Sequence, residues 1–257
     1  LVLAIGGHDP CGGAGLQADI EAIAANGCRA VTVVTALTTQ NTCGVQSIHP
    51  QSAQQVLQQC RLLLEESNIG VIKIGLLGNA RVGEVVAELL EENPNIAAVL
   101  DPVLASGTND QLADDALQRS ILERLCPNST LITPNSLEAR TLTSRQELED
   151  CASHLVDKGC AAVLITGTHE NETQVSNHLY GLAGLLQTRK WPRLPGSYHG
   201  SGCTLAAAVA AGLAKGLRLG EAVDRAQKYT WSALSHAFRT GRCQYTPNRF
   251  FAAANRE

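Results

Sequence analysis

The sequence predicts a single α/β domain in which helices cover both faces of a mostly parallel central sheet, giving three layers. Short apolar or β-branched runs typical of buried strands recur along the chain, and amphipathic stretches of helical length separate them. Strands that alternate with helices are typical of a parallel sheet covered on both faces. The chain has 257 residues, 44% of them hydrophobic, and can bury one substantial core, so we expect residues 1–257 to form one domain.

The elements are predicted from local pattern and from stop signals. Buried strands are predicted at residues 1–5, 31–37, 71–74, 97–100, 130–133 and 162–166. Helices are predicted from apolar spacing and from Gly or Pro stops, at residues 16–26, 82–93, 145–158, 202–215 and 220–238. The alternation breaks near Asn177, where residues 178–186 and 188–194 favour extended segments, and residues 241–257 are expected to form an ordered C-terminal cap.

Composition excludes several classes of function. The net charge is −4 and the chain has no run of five or six like charges, so no nucleic-acid surface is expected. Every apolar run is shorter than the roughly 20 residues that span a bilayer, so no membrane segment is expected. The nine cysteines lack C-x-x-C spacing, which argues against a disulfide framework and a zinc site and favours a reducing compartment, the cytoplasm. The chain begins at Leu1 and contains no Met, which leaves open whether residues precede it.

A glycine-rich turn follows the first predicted strand. Residues 6–15 have the sequence GGHDPCGGAG and lead into a helix that carries Asp19. Such glycines let a ligand approach the backbone and leave helix N-terminal N–H groups pointing at it. The turn matches neither G-x-x-x-x-G-K-[ST] nor G-x-G-x-x-G, so by itself it is equally compatible with a tight connection that binds nothing.

Polar residues also stand at the carboxyl ends of later strands, where ligands gather in open α/β sheets. Gln40 follows the second strand and offers amide donors and an acceptor that suit a heterocyclic ring. Asp101 and Glu138 follow neighbouring strands and could share a hydrated Mg²⁺, although each could instead cap a helix or hydrogen-bond a loop. Thr166 and Gly167 follow the sixth strand, where hydroxyl and backbone groups would meet a nucleotide.

The strongest local signal is the sequence HGSGCTL at residues 199–205, at the start of a small-residue helix. Gly200, Ser201 and Gly202 are expected to expose unpaired N–H groups at the positive end of the helix dipole, which suits a transferring phosphoryl group. Cys203 lies in the first turn, where the same field is expected to lower the pKa of its thiol relative to that of a buried thiol. A thiolate there could accept a proton from a substrate hydroxyl, and the alternative is an inert buried thiol.

Together and in order, these motifs resemble the hydroxymethylpyrimidine/phosphomethylpyrimidine kinases, a family of the ribokinase-like superfamily. The resemblance also rests on KIGLL at 73–77, LDPV at 100–103 and ITPN at 132–135, and it covers nearly the whole chain. The Cys of the G-[ST]-G-C element is its most telling position, because sugar kinases of the superfamily resemble one another in carrying Asp there. The resemblance implies a single-domain, ribokinase-like (Rossmann-like) α/β fold, ATP and Mg²⁺ as cofactors, and phosphorylation of hydroxymethylpyrimidine and then of its monophosphate for thiamine synthesis.

The resemblance also implies roles for individual residues. The positions that hold the pyrimidine in the family match Gly7, Asp19 and Gln40, with Leu76 and Val103 as apolar neighbours. The positions near Mg²⁺ and the phosphates match Asp101, Asn135 and Glu138, where Asp101 and Glu138 would reach the metal through water. The nucleotide would meet Thr166 and Gly167, while Gly200, Ser201, Gly202 and Cys203 match the anion hole and the candidate base. Relatives often pair, so a homodimer is a further expectation.

Several positions depart from the family pattern. His8 and Cys11 stand where Ser or Thr is usual, Leu76 stands where Met is common, and Thr166 replaces the Lys of Lys-Gly-Gly-His. Loss of that Lys removes a positive charge expected near the nucleotide phosphates, which leaves the second phosphorylation open.

Two rival functions therefore remain. The first is a pyridoxal-type vitamin kinase, since pyridoxal and aminopyrimidine alcohols both carry a hydroxymethyl group on a flat ring. The second is a non-catalytic pyrimidine-binding sensor, which the departures favour and the retained anion-hole element opposes.

Overall fold

Alternating side chains along the first strand show how the sheet separates two core layers. The computed structural model describes residues 1–106 and 110–252. Val2 and Ala4 pack into one core cluster, whereas Leu3 and Ile5 pack into the other, and all four are fully buried. A strand that is apolar on both faces needs helices on both faces, which is the three-layer arrangement predicted from the sequence.

The described residues form one sheet of nine strands: β1 Val2–His8, β2 Ala30–Asn41, β3 Gly44–Pro50, β4 Val71–Ile74, β5 Ala97–Leu100, β6 Leu131–Ile132, β7 Ala162–Thr166, β8 Gln174–Gly181 and β9 Gly184–Pro192. Their order is β3-β2-β1-β4-β5-β6-β7-β8-β9. The pairings from β2 through β7 are parallel, and β3, β8 and β9 are added antiparallel at the two edges. The predicted mostly parallel sheet is therefore confirmed.

Eight α-helices connect and cover the strands within the described residues: α1 Gly15–Ala25, α2 Ala53–Glu66, α3 Ala80–Glu92, α4 Asp115–Ser120, α5 Ser136–Thr143, α6 Leu148–Asp157, α7 Ser201–Ala214 and α8 Leu219–Ser235. Buried residues of α1, α7 and α8 belong to the core layer that contains Val2. Buried residues of α2 to α6 belong to the layer that contains Leu3. No helix within the described ranges is both long and apolar enough to cross a membrane.

The sequence prediction missed β3, α2 and the short helices α4 and α5. β3 is a half-exposed edge strand whose residues carry little continuous apolar signal. α2 buries only Val56 and Cys60 fully and otherwise presents Gln and Glu to the surface, so its apolar stripe is thin. β4, β5 and β7 coincide with the predicted runs, because strands buried on both faces form continuous apolar sequences.

The expectation that the cysteines form no disulfide is wrong at one pair. Cys43, in the turn between β2 and β3, is bonded to Cys243 in the C-terminal segment, with 5.0 Å between their Cα atoms. The two positions are separated by 200 residues, so neither spacing nor the odd cysteine count could reveal the pair. The other seven cysteines carry free thiols.

The C-terminal segment follows α8 and returns to the edge of the sheet. Gln244 N–H donates to the Thr42 carbonyl at 3.3 Å, and Tyr245 N–H donates to the Ser197 carbonyl at 2.8 Å. The expected cap is thus ordered as far as residue 252, while residues 253–257 of that prediction lie outside the described residues.

Candidate active site

The carboxyl ends of the parallel strands open into one cavity of about 790 Å³. Every site residue predicted from the sequence lines this cavity except Gly167. Ligands collect at this edge of open α/β sheets because the strand-to-helix connections converge there. The lining includes residues of the glycine-rich turn, of the β2 end and of the α7 start, so the chain brings these distant motifs together.

The glycine-rich turn is held in shape by Asp9. Its two carboxylate oxygens accept hydrogen bonds from Cys11 N–H and Ala14 N–H, each at 2.8 Å. The imidazole of His199 lies 2.8 Å from the same carboxylate and joins the turn to the segment that precedes α7. Burial raises the pKa of Asp9, but the hydrogen bonds from His199 and Ala14 outweigh burial and bring the pKa down to about 2.

The start of α7 has the geometry of an anion-binding turn. Gly200 is the N-cap residue with a φ of 82°, and an added Cβ there would overlap the carbonyl oxygen of Gly13. The first helical turn leaves N–H groups without helical partners, at the positive end of the helix dipole. Gly200, Ser201, Gly202 and Cys203 all line the cavity, so these donors border the space where an anion would bind.

A fully buried lysine, Lys73 on β4, lies at the floor of the cavity. Its Nζ lies 2.8 Å from Asp19 Oδ1 and 3.0 Å from Asp19 Oδ2. Burial alone would lower the pKa of Lys73, but the charges of Asp19 and Asp101 oppose burial, and the pKa is held above its usual value. Gly75 leaves room for the ammonium, since a Cβ at that position would meet Nζ at 2.8 Å. The Asp19 carboxylate is thus paired with Lys73. The Lys73 ammonium is the positively charged group of this pair.

Asp101 is buried and Cys203 is partly exposed, and both lie beside that charge. The Asp101 carboxylate packs against the first turn of α7, where a Cβ on Gly202 would lie 3.6 Å from Oδ1, and Asp101 Oδ2 has no hydrogen-bond partner within the described residues. Desolvation raises the pKa of the Cys203 thiol to about 12, although Lys73 opposes the rise. Cys203 is therefore a neutral thiol near pH 7.

Asn135 and Glu138 form a capping box at the start of α5. Asn135 Oδ1 accepts from the N–H groups of Leu137 and Glu138, while Glu138 accepts from Asn135 N–H at 2.9 Å and from Leu104 N–H at 3.3 Å. Burial, followed by the charge of Asp101, raises the pKa of Glu138 to about 8. Glu138 thus caps a helix, which was one of the two roles that the sequence left open for it. Asn135 and Glu138 nevertheless both line the cavity.

The acidic residues fit a hydrated magnesium ion. The described residues contain no group of three or more His, Cys, Asp or Glu side chains that could enclose a metal directly. Mg²⁺ in phosphotransfer sites usually keeps several waters and takes one or two carboxylates besides the substrate phosphates. The unpartnered Oδ2 of Asp101 is a suitable acceptor for such a water, with Glu138 as its neighbour.

The end of the cavity formed by the β2–β3 hairpin holds the residues matched to the pyrimidine. Gln40 donates to Thr38 Oγ1 at 2.5 Å, and Thr38 donates to the His8 carbonyl at 2.9 Å, so β2 is tied to the glycine-rich turn. Leu76 packs closely on Gly7, where a Cβ would meet Leu76 Cδ2 at 2.8 Å. Gly7, Gln40, Leu76 and Val103 line the cavity with mainly apolar groups that suit a flat ring, while Asp19, the fifth residue matched to the pyrimidine, lines the cavity and is paired with Lys73.

The opposite end is built from β7, β8, β9 and α8. Thr166 lines it, but Gly167 does not, because the Gly167 N–H donates to Asn177 Oδ1 at 3.2 Å and its Cα packs against the Ser176 carbonyl. Trp191 and Trp231 stack here with ring centroids 6.1 Å apart, and both line the cavity.

Sequence reasoning missed the roles of Lys73, His199 and Arg249. Lys73 was visible as one cation inside a continuous apolar strand, which is a signal for a buried ion pair. His199 lay in a motif already singled out, but its partner Asp9 is 190 residues away. Arg249, which hydrogen-bonds the glycine-rich turn from the C-terminal segment, had no sequence signal at all.

Known proteins provide an independent comparison. A sequence model described as phosphomethylpyrimidine kinase matches residues 9–248. The hydroxymethylpyrimidine/phosphomethylpyrimidine kinase of Salmonella typhimurium is 36% identical and covers 91% of this chain and 91% of its own. The Bacillus subtilis pyridoxal kinase, solved as an ADP complex, superposes with a TM-score of 0.89 at 25% identity, over 99% of this chain and 98% of its own.

A second solved structure is the phosphomethylpyrimidine kinase of Clostridium difficile, with a TM-score of 0.79 and 27% identity over 91% of this chain and 98% of its own. The superpositions confirm the ribokinase-like α/β fold, and the matched motifs extend from the glycine-rich turn to the C-terminal segment. By sequence and by structure, the chain belongs to the phosphomethylpyrimidine kinase family.

Proposed function

We propose that this chain transfers the γ-phosphoryl group of ATP to the hydroxymethyl oxygen of hydroxymethylpyrimidine, and then phosphorylates the monophosphate to the diphosphate used in thiamine synthesis. The observation that carries the proposal is the juxtaposition, in one cavity, of the α7 N-terminus with Asp101, Cys203 and Lys73. Phosphoryl transfer needs positioning and electrostatic stabilisation more than covalent chemistry, and this arrangement supplies both. The kinase names of the relatives support the same reaction.

The positive groups at the centre would stabilise charge on the transferring phosphoryl group. The first-turn N–H groups of Gly200 to Cys203 and the ammonium of Lys73 lie around the same part of the cavity. These groups are fixed before substrate binds, so little free energy is needed to reorient them when the transition state forms. A hydrated Mg²⁺ near Asp101 and Glu138 would neutralise phosphate charge.

Cys203 and Asp101 would remove the proton from the attacking hydroxyl. Because the thiol is neutral near pH 7 and lies beside the Asp101 carboxylate, the substrate proton would pass to Sγ while the Sγ proton passes to Asp101. Burial already raises the pKa of Asp101, which favours its acceptance of that proton.

The nucleotide would lie at the end of the cavity formed by β7, β8, β9 and α8. Arg193 lies there, and its guanidinium donates to the carbonyls of Thr168, Glu170 and Glu172 at 2.8, 2.9 and 2.9 Å. This cation stands on the side from which the family Lys is missing at Thr166, and it would partly replace that charge. Trp191 and Trp231 offer an apolar surface for the base.

Pyridoxal is the second candidate substrate. The Bacillus subtilis neighbour is named a pyridoxal kinase and superposes over almost the whole chain. The mainly apolar lining of Gly7, Leu76 and Val103 suits either flat ring, and Gln40 is the residue whose amide would distinguish them.

The test is ADP release with Mg-ATP and four acceptor conditions: hydroxymethylpyrimidine, pyridoxal, a simple sugar and no acceptor. We expect turnover with hydroxymethylpyrimidine to exceed turnover with pyridoxal, and Cys203→Ala to lower kcat far more than it raises the KM for the pyrimidine. Release that is independent of any acceptor, or restricted to pyridoxal, would contradict the proposed substrate.

We further propose that the chain works in the cytoplasm as a homodimer, the state expected from the family resemblance. A glutathione-buffered compartment would hold Cys43 and Cys243 mainly as thiols, and the bond would form on exposure to oxygen. Sedimentation velocity of the reduced protein tests the dimer, and a single monomeric species at micromolar concentration would refute it.

A further inference from the structure

The C-terminal segment places a buried arginine behind the glycine-rich turn. Arg249 is 2% exposed, the largest of the fully buried side chains, and it is absent from the described lining of the cavity. An arginine is almost never buried this completely unless its guanidinium is paired and hydrogen-bonded. Its partners therefore indicate what its position is for.

The guanidinium contacts both halves of the anion-binding site. Its Nη2 donates to the Gly13 carbonyl and its Nη1 donates to the Gly12 carbonyl at 3.3 Å, both in the glycine-rich turn. Its Nε donates to Thr204 Oγ1 at 3.0 Å, and that hydroxyl donates in turn to the Gly200 carbonyl at 2.7 Å. A single side chain thus links the turn after β1 to the N-cap of α7.

These contacts direct backbone carbonyls away from the cavity. A phosphoryl group binds to N–H groups, and a carbonyl oxygen facing it would repel it. The carbonyls of Gly12 and Gly13 accept from a guanidinium that lies outside the cavity, so their oxygens face away from the site. Gly13 and Gly200 lie so close together that Gly200 cannot carry a Cβ. A small shift of either backbone would therefore change the contact between the glycine-rich turn and the α7 N-terminus.

The arginine is itself firmly placed. Tyr229 of α8 donates to the Arg249 carbonyl at 2.8 Å, and the neighbouring Asn248 N–H donates to the Ala233 carbonyl at 3.0 Å. Glu21 of α1 accepts from Nη1 at 2.9 Å and balances the buried charge. Because the charge is balanced, the contribution of Arg249 to the site is mainly geometric.

We propose that Arg249 is a positioning residue for phosphoryl transfer, which holds the α7 N-terminus in register against the glycine-rich turn so that the N–H groups at the start of α7 face the transferring group. The inference rests on the proposed function for its catalytic consequence. It assigns the C-terminal segment a part in the reaction, although Arg249 touches no reacting atom.

The kinetic experiment compares Arg249→Ala and Arg249→Lys with the native chain. A misplacement of about 1 Å at a reacting centre costs about 100-fold in rate, so we expect kcat of Arg249→Ala to fall by about that factor while both KM values change by less than about 3-fold. Arg249→Lys retains the charge but lacks the planar fork that reaches Thr204, Gly12 and Gly13 through three separate nitrogens, and it should be intermediate. Val86→Ala in α3, a buried residue away from the cavity, controls for lost stability and should keep native kcat.

A rescue experiment separates positioning from a general loss of stability. Low concentrations of guanidinium chloride should restore part of the kcat of Arg249→Ala, because the ion can occupy the vacated site beside the Gly12 and Gly13 carbonyls. Urea and sodium chloride at equal concentration should not. A folded Arg249→Ala with kcat within 3-fold of the native value, or with no rescue specific to guanidinium, overturns the proposal. If Arg249→Ala does not fold, near-native kcat of Arg249→Lys overturns it equally.

Amide hydrogen exchange of the same proteins gives a readout without catalysis. In Arg249→Ala, exchange should accelerate at residues 12–15 and 201–203 and stay unchanged in β5. A native chain that is inactive on every acceptor refutes the proposed function, and the exchange data then decide this inference alone. Local acceleration supports it, and unchanged or uniformly faster exchange refutes it.

Discussion

Lys73 offers the sharpest single perturbation of the site. Lys73→Met keeps a side chain of similar length and removes the ammonium that lies 2.8 Å from Asp19 Oδ1. At an effective dielectric constant of about 20, two unit charges at that distance interact by about 6 kcal/mol. Removing one partner of a buried pair typically costs about 3–5 kcal/mol, because the other charge remains buried without compensation. We therefore expect Lys73→Met to lower the free energy of unfolding by about 3–5 kcal/mol and Tm by about 10 °C.

The loss should depend on pH, with a sign that follows from Asp19. Burial raises the pKa of Asp19, and without Lys73 nothing comparable opposes the rise. An acid whose folded pKa lies above its unfolded value of about 3.9 destabilises the fold as it ionises. The deficit of Lys73→Met should therefore grow as pH rises from the unfolded pKa through the raised folded pKa, and it should be smaller at pH 5.5 than at pH 8.

Urea unfolding followed by circular dichroism measures both effects. The double variant Asp19→Asn with Lys73→Met should recover part of the lost stability, since it removes the uncompensated charge at Asp19 and leaves only Asp101 without the nearby ammonium. A deficit below about 1 kcal/mol at pH 8, or one that is the same at both pH values, would refute the reasoning about this ion pair.

Three further outcomes are expected. Gly200→Ala should lower kcat by about 100-fold, because the added Cβ overlaps the Gly13 carbonyl. Gly216→Ala is the control and should keep native activity, since Gly216 has a similar φ of 80° and open space around it. Equal kcat in both variants would contradict the account. The apparent affinity for Mg²⁺ should rise as pH increases towards about 8, where Glu138 ionises. Glu138→Gln should lose that pH dependence. An unchanged pH profile in Glu138→Gln would remove Glu138 from the metal site. Air-exposed, denatured protein should take up seven alkyl groups without reductant and nine with it, and nine in both conditions would exclude the disulfide that includes Cys43.

How far the fold was predictable depends on where each element lies in the sheet. β4, β5 and β7 are buried on both faces, so their sequences are short continuous apolar runs with few alternatives. β3 lies at an edge and α2 is mostly exposed, so the burial that specifies them is supplied by the rest of the fold and not by their own residues. The glycine-rich turn and the α7 start were predictable because positive-φ and close-approach positions require glycine, as at Gly15 and Gly200.

The site was predictable where one motif carries it and unpredictable where two distant segments make it. The residues of 200–203 are adjacent in sequence and were found together. The Lys73–Asp19, His199–Asp9 and Arg249–Gly13 contacts join segments separated by 54, 190 and 236 residues, which no local pattern encodes. The environment of Cys203 is a similar case: the sequence indicates its place at a helix start, but the burial that raises the pKa of its thiol is imposed only by the assembled fold.

The central claim is phosphoryl transfer to a pyrimidine alcohol, and the products test it most directly. Mass spectrometry of a reaction with Mg-ATP and hydroxymethylpyrimidine should show the monophosphate first and the diphosphate later, both absent when ATP is omitted. Appearance of both products is the predicted result, with Arg193 and Lys73 supplying the charge that Thr166 does not. The account is contradicted if no phosphorylated pyrimidine forms while pyridoxal is phosphorylated under the same conditions.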